Sequence, residues 1–147
     1  MYRIREADGC DDAADLAILH ELIFETTAPP ADTSDGHWWL VYAARDPNPV
    51  AFAGVVPSDR YSAAGYYKRV GVLPHCRGHG LQLRLTRVIE RRCRRQGWRR
   101  IISDTTDNVP CANNFIRAGY RLFDPGAAAW SFPNSLYWTK DLRTTQT

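Results

Sequence analysis

The sequence predicts an α/β protein: a mixed, mostly antiparallel sheet with helices on both faces, in the order β-α-(α)-β-β-β-α-β-α-β-β. Three observations carry this. Apolar residues recur at helical spacing in segments near 13–25, 81–96 and 108–118. Between the first two, three runs rich in aromatic and β-branched residues follow one another, separated by Pro- and Asp-bearing turns. The last of those runs passes through Arg77-Gly78-His79-Gly80 directly into the longest helical segment.

Tyr2 to Glu6 alternates as a first strand. Asp11 and Asp12 stand where they would cap a helix to about Glu25, with Leu16, Leu19, Ile23 and Phe24 as its apolar stripe. Thr26 to Gly36 is rich in Thr, Pro, Ala and Asp; Pro29-Pro30 breaks regular structure, leaving room for a short helix around Ala31 to Asp35. Trp38 to Ala44 and Val50 to Val56 flank the turn Asp46-Pro47-Asn48-Pro49 and make a hairpin. After a turn at Pro57 to Arg60, Tyr66 to Leu73 is the third consecutive antiparallel strand, ended by Pro74, which cannot donate to a ladder.

The helix from Leu81 to about Gln96 puts Leu81, Leu85, Val88, Ile89 and Cys93 on one side and Arg84, Arg87, Arg91 and Arg94 on another, and Gly97 stops it. Arg99 to Asp104 is a strand around Ile101-Ile102. Asp107-Asn108 with Pro110 opens a short helix to about Ala118, with Ala112, Phe115 and Ile116 inward. Gly119 ends it, Tyr120 to Phe123 is a strand, Asp124-Pro125-Gly126 begins a loop, and Ser135 to Leu142 is the last strand. The domain spans 1–143, and 144–147 is a polar tail.

Composition bounds the function. The 147 residues suit one domain with a full core, and 44% hydrophobic residues exclude a disordered chain. No apolar run approaches the roughly 20 residues of a membrane span, and the N-terminus lacks a signal peptide's apolar segment, so a cytoplasmic protein is expected, without a membrane partner. Cys10, Cys76, Cys93 and Cys111 form no CxxC pair, which disfavours zinc and a disulfide framework; no metal is expected, and Cys76 beside the glycine loop is the thiol placed to be exposed. There are 17 Arg against two Lys, eight of the Arg between positions 84 and 100. A solvated helix face and a polyanion-binding face both account for that cluster; nucleic acid is the lesser reading.

The chemistry concentrates in Tyr66 to Leu85. A helix start leaves four backbone N–H groups unpaired and carries positive partial charge. Gly78 and Gly80 lack side chains, so an anion can approach the backbone, and Arg77 adds a forked cation. Strand, Arg-Gly-x-Gly loop and helix make a diphosphate cradle.

Arg77-Gly78-His79-Gly80-Leu81-Gln82 after Val70-Gly71-Val72-Leu73-Pro74, with Asn108 followed by Gly119-Tyr120, resembles the GNAT superfamily of acyl-CoA-dependent N-acetyltransferases across almost the whole chain. Gln82 departs from the final Gly or Ala of the family's Arg/Gln-x-x-Gly-x-Gly/Ala signature. The resemblance implies an acetyltransferase-like fold and acetyl-CoA as co-substrate. It gives the pantetheine arm to backbone groups of Val70, Gly71 and Val72 and to Asn108, and the diphosphate to backbone N–H groups of Arg77, Gly78, His79, Gly80, Leu81 and Gln82. It places the thioester where the signature strand and the Arg99–Asp104 strand splay apart, with an oxyanion stabilised by a backbone N–H near Val70 to Val72.

The usual proton-transfer residues are missing. Phe115 stands where relatives carry a general-acid Tyr, and Ser103 where some carry an acidic base. Asp104 is the base candidate, and the general acid is unassigned; Tyr67, Tyr120 and Tyr137 qualify by type alone. The implied reaction is direct transfer of an acetyl group to an amine of a small molecule or peptide, its site lined by Thr26–Gly36, Ser58–Ala64 and Asp124–Pro133. Transfer of another acyl group and a non-catalytic CoA-binding or regulatory module are the alternatives. The sequence is also compatible with a homodimer.

Overall fold

The computed structural model describes residues 1–143; the polar tail expected over 144–147 lies outside the described residues. Seven strands and three α-helices alternate along the chain: β1 (Tyr2–Glu6), α1 (Ala13–Phe24), β2 (His37–Ala43), β3 (Pro49–Pro57), β4 (Ala64–Val72), α2 (Leu81–Arg95), β5 (Arg100–Thr105), α3 (Val109–Arg117), β6 (Arg121–Leu122) and β7 (Leu136–Asp141). The strands pair in the order β1-β2-β3-β4-β5-β7-β6. Only β4 and β5 are parallel among the registered pairs, because α2 is the crossover between them. No helix among the described residues is long and apolar enough to cross a membrane.

One compact unit takes Met1–Val56 and Lys68–Arg87, and the other takes Pro57–Tyr67 and the described residues from Val88. In the first, Leu16 and Leu19 of α1 pack with Trp38, Leu40, Tyr42 and Phe52 of the β2–β3 hairpin. Trp38 to Tyr42 and Val50 to Val56 are buried at consecutive positions, so both faces of these strands are covered. In the second, Phe115 of α3 sits among Tyr67, Tyr120 and Trp138, with ring centroids 5.5, 4.9 and 5.8 Å away. Such aromatic pairs add about 0.5–1.5 kcal/mol each beyond area burial.

The structure corrects several expectations. Asp12 occupies the N-cap position of α1 but does not cap it: its carboxylate accepts from Arg5 at 2.9 and 3.0 Å and from the Asp8 N–H at 2.6 Å. The optional helix at 31–35 is absent, and Asp32 instead accepts from the Ser34 N–H and hydroxyl in a local turn. Ile116 points outward at 59% exposed. The nine residues of α3 bury Phe115 and leave Ile116, one position round the helix, on its outer side. The strand expected over Tyr120–Phe123 is reduced to Arg121–Leu122. β7 lies between β5 and β6 and buries Tyr137 on one face and Trp138 on the other.

Candidate active site

The cradle begins where β4 ends. One 3-10 turn, Pro74–Cys76, redirects the chain, and Gly78 and Gly80 follow at φ +86° and +73°. A Cβ built at either glycine meets nothing within 4 Å. Packing does not demand glycine there; the left-handed backbone does, and the outcome is an open approach to the first turn of α2. The helix begins firmly, with Arg84 N–H donating to the Gly80 carbonyl at 3.1 Å and Leu81 buried at 2% exposed. The first-turn N–H groups of such a helix attract anions. Gln82 is half-buried.

The strand side of the cradle differs. Gly71 is there for packing: a Cβ would lie 2.9 Å from Phe52 Cε1 and 3.0 Å from Ile23 Cδ1. Arg77 folds back, its Nε donating to the Val72 carbonyl at 3.1 Å. That carbonyl retains one further lone pair for an incoming donor. Cys76 is buried, not the exposed thiol expected beside the loop. Burial likewise pushes the Cys93 thiol up to about 12. No group of three or more His, Cys, Asp or Glu side chains that could hold a metal occurs among the described residues.

Beneath the Thr26–Gly36 loop lies a cavity of about 190 Å³ lined by Leu16, Ala17, His20, Pro30, Ala31 and Phe52, among others. His20 Nε2 lies 3.3 Å from Arg69 Nη1. A guanidinium can only donate, so Nε2 is the acceptor and the imidazole is neutral. Burial and then the Arg69 charge hold His20 below its ordinary pKa.

In the second unit the parallel ladder pairs Ala64–Tyr66 with Arg100–Ile102. One residue on, the buried Ser103 hydroxyl donates to the Tyr67 carbonyl at 2.9 Å. Ser103 thus satisfies a main-chain group where the strands part. Alternation places Asp104 on the opposite face. There the Tyr66 hydroxyl donates to Asp104 Oδ1 at 2.6 Å, and Trp130 Nε1 donates to the same oxygen at 3.0 Å. Tyr66 and Trp130 were not among the sequence candidates. Tyr66 stands beside Ile102 in register, so it shares a face with Asp104; that pairing is the signal, and it needs the register to be known.

The other tyrosine candidates are packed. Tyr67 is buried against Phe115. Tyr120 is buried, and burial, then the neighbouring Glu90 carboxylate, raises its pKa well above the ordinary value. The Tyr137 hydroxyl accepts from the Ser131 N–H at 3.0 Å. Asn108 caps α3, its Oδ1 accepting from the Cys111 N–H at 3.1 Å, which leaves its Nδ2 as the donor end.

Residues 5–120 match the family model described as Acetyltransferase (GNAT) family. The chain belongs to the GNAT acetyltransferases. Their chemistry is acyl transfer from acyl-CoA to an amine. Solved structures agree in fold. A GNAT-family acetyltransferase from Staphylococcus aureus superposes with a TM-score of 0.78 at 19% identity, covering 97% of this chain and 100% of that one. The ribosomal-protein alanine N-acetyltransferase from Escherichia coli gives 0.75 at 10% identity, covering 99% and 97%. An IAA acetyltransferase from Bacillus cereus gives 0.72 at 12%, covering 96% and 99%. No curated protein sequence matches.

Phe115, at the position of the relatives' Tyr, is buried at 2% exposed and stacked on Trp138. The polar side chains that meet are Tyr66, Asp104 and Trp130, from β4, β5 and the loop before β7. That loop also lines an open groove of about 620 Å³ with Phe123, Phe132 and Tyr137.

Proposed function

We propose that this protein is an acetyl-CoA-dependent N-acetyltransferase that acts on an amine of a small molecule or peptide. The observation that carries the reading is the pair of positive-φ glycines opening onto the first turn of α2 with no side chain in the way. The residues present fit a CoA diphosphate: N–H groups of Gly78 to Gln82 would hold it, with positive partial charge at the helix start, while the Arg77 N–H already donates to the Pro74 carbonyl at 3.3 Å. Backbone groups of Val70, Gly71 and Val72 and the Nδ2 of Asn108 would hold the pantetheine amides. When bound, acetyl-CoA supplies a thioester carbonyl and a good leaving group.

The chain's part is then to position, to accept a proton and to receive charge. Asp104 takes the proton the amine loses as its C–N bond forms, directly or through one water. Tyr66 and Trp130 are positioning residues: both donate to Oδ1 and fix the carboxylate. A backbone N–H of Val70 to Val72 receives the charge that develops on the acyl oxygen. As the C–S bond breaks, the CoA thiolate leaves and takes a proton from solvent, Asp104 returns its own proton to solvent, and the products are an amide and the free thiol.

Thiol release measured over a panel of acyl-CoAs and amines tests this. Turnover with acetyl-CoA and at least one amine supports it, and preference for a longer acyl donor would correct the acyl group. Acetyl-CoA binding with no turnover over the panel would leave a CoA-binding module, and no acyl-CoA binding would remove the reading.

A further inference from the structure

We infer that the acceptor is a peptide amine followed within a few residues by acidic side chains, which lie in an arginine groove on the same sheet face as Asp104. The inference rests on the transferase reading above and names its substrate class.

Register places the groups. Across β5, β7 and β6, Arg100 pairs with Asp141, Ile102 with Thr139, Thr139 with Arg121, and Asp104 with Tyr137. Directly opposed residues share a face, and so do residues two apart. Arg100, Asp104, Arg121, Tyr137, Thr139 and Asp141 therefore project to one side. The other side is occupied: Trp138 packs on Phe115, and Lys140 Nζ reaches Glu90 at 2.9 Å and the Ala118 carbonyl at 2.7 Å.

On the first side, a groove of about 420 Å³ is lined by Arg99, Arg100, Arg121, Arg143, Thr139 and Asp141, with Ser62. Four guanidiniums there face one carboxylate. That carboxylate is already held by Arg143, which lowers the Asp141 pKa to about 2. Arg100 is preorganised: its guanidinium lies 4.7 Å from the Tyr61 ring centroid and 5.2 Å from that of Phe123, and its Nε donates to Thr139 Oγ1 at 3.2 Å. A fixed fork loses little entropy on binding a carboxylate.

Between the groove and Asp104 runs an aromatic strip. Tyr61 and Phe123 lie 6.1 Å apart, Phe123 and Tyr137 6.3 Å, and Tyr137 and Trp130 4.6 Å, and Trp130 donates to Asp104. The ligand that fits is dipolar, cationic at Asp104 and anionic at the arginines. Asp104 stands four positions along β5 from Arg100, about 13 Å at roughly 3.3 Å per residue. A single amino acid is too short for that. An extended peptide, at about 3.3–3.6 Å per residue, brings its third to fifth residue to the arginines. A nucleic acid would suit the arginines and the aromatic strip, but the Asp104 carboxylate at the far end repels a phosphate chain.

Fluorescence anisotropy with two labelled peptides tests the inference: Ala-Gly-Gly-Glu-Glu-Gly, and the same peptide with Gln for Glu. The acidic peptide is expected to bind at least about tenfold more tightly, with the preference weakened by salt. The exposed pair Arg99→Glu with Arg121→Glu erases the preference, and Arg100→Lys, which keeps charge but loses the fork, reduces it. Equal binding of the two peptides overturns the inference. So does tighter binding of a single-stranded DNA of about ten nucleotides than of the acidic peptide. Acetyl transfer is followed in the same samples. Selective binding of the acidic peptide without transfer to it overturns the acceptor inference where the amine panel turns over, and sinks the transferase reading where no amine does; equal transfer to both peptides keeps the transferase and sinks this inference.

Discussion

At Gly78 and Gly80 the chain offers backbone and almost nothing else, whereas at Asp104 three side chains from separate segments meet at one carboxylate oxygen. The glycine loop is exposed, and each glycine sits in open space at positive φ. The Asp104 cluster is half-buried, and its geometry is set by hydrogen bonds of 2.6 and 3.0 Å. A main-chain site is harmed by adding atoms and is nearly indifferent to neighbouring side-chain identity. A side-chain site is harmed by removing single polar atoms and leaves the backbone unchanged. Substitutions at the two should therefore separate donor binding from chemistry.

The largest effect is expected at the loop. Gly80→Asp forces a side chain into positive φ, at about 1–2 kcal/mol, and brings negative charge to the helix start. Acetyl-CoA affinity, measured by titration calorimetry, should fall by about a hundredfold or more with the circular dichroism spectrum unchanged. Retained affinity would break the cradle assignment.

Next is Asp104→Asn. It removes the proposed base and should lower kcat by about 100-fold or more, while the acetyl-CoA Kd stays within about twofold. The pH–rate profile should lose the limb that depends on the carboxylate, and an unchanged profile would remove Asp104 as base. Tyr66→Phe is milder. It deletes one of the two donors to Oδ1, an interaction of about 1 kcal/mol, so kcat should fall about fivefold without loss of donor affinity. If Tyr66→Phe matched Asp104→Asn in size, the tyrosine would be handling the proton itself.

The smallest effect concerns stability near the cavity. His20 is neutral, with its pKa lowered by burial and by Arg69. The unfolded chain binds a proton there that the folded chain resists. Stability from this residue is therefore present above the ordinary His pKa of about 6.5 and is lost as pH falls below it. Melting temperature should drop a few degrees between about pH 7.5 and 5.5, and His20→Gln should flatten that slope. Carboxylates such as Asp12, lowered by Arg5, titrate below this window.

The strand, turn and helix start of the proposed cradle were legible in the sequence because they are consecutive, from Val70 to Gln82. Most element bounds were legible for the same reason of local pattern. What escaped depends on distance along the chain. Tyr66 and Asp104 are 38 residues apart and meet only through the β4–β5 register. Trp130 lies in an irregular loop whose composition does not announce an indole aimed at a carboxylate. The insertion of β7 between β5 and β6 follows from pairing, and no residue in β7 encodes it alone. Asp12 shows a local rule overridden by a tertiary one, since Arg5 claims the carboxylate that would have capped α1.

The central claim is that the acyl donor is held by the main chain of Val70–Val72 and Gly78–Gln82. Amide chemical-shift mapping during an acetyl-CoA titration of the wild-type protein tests it most directly. The account predicts the largest shifts at the N–H groups of Val70, Gly71 and Val72 and of Gly78 through Gln82. Saturable shifts elsewhere, with these amides unmoved, would contradict it.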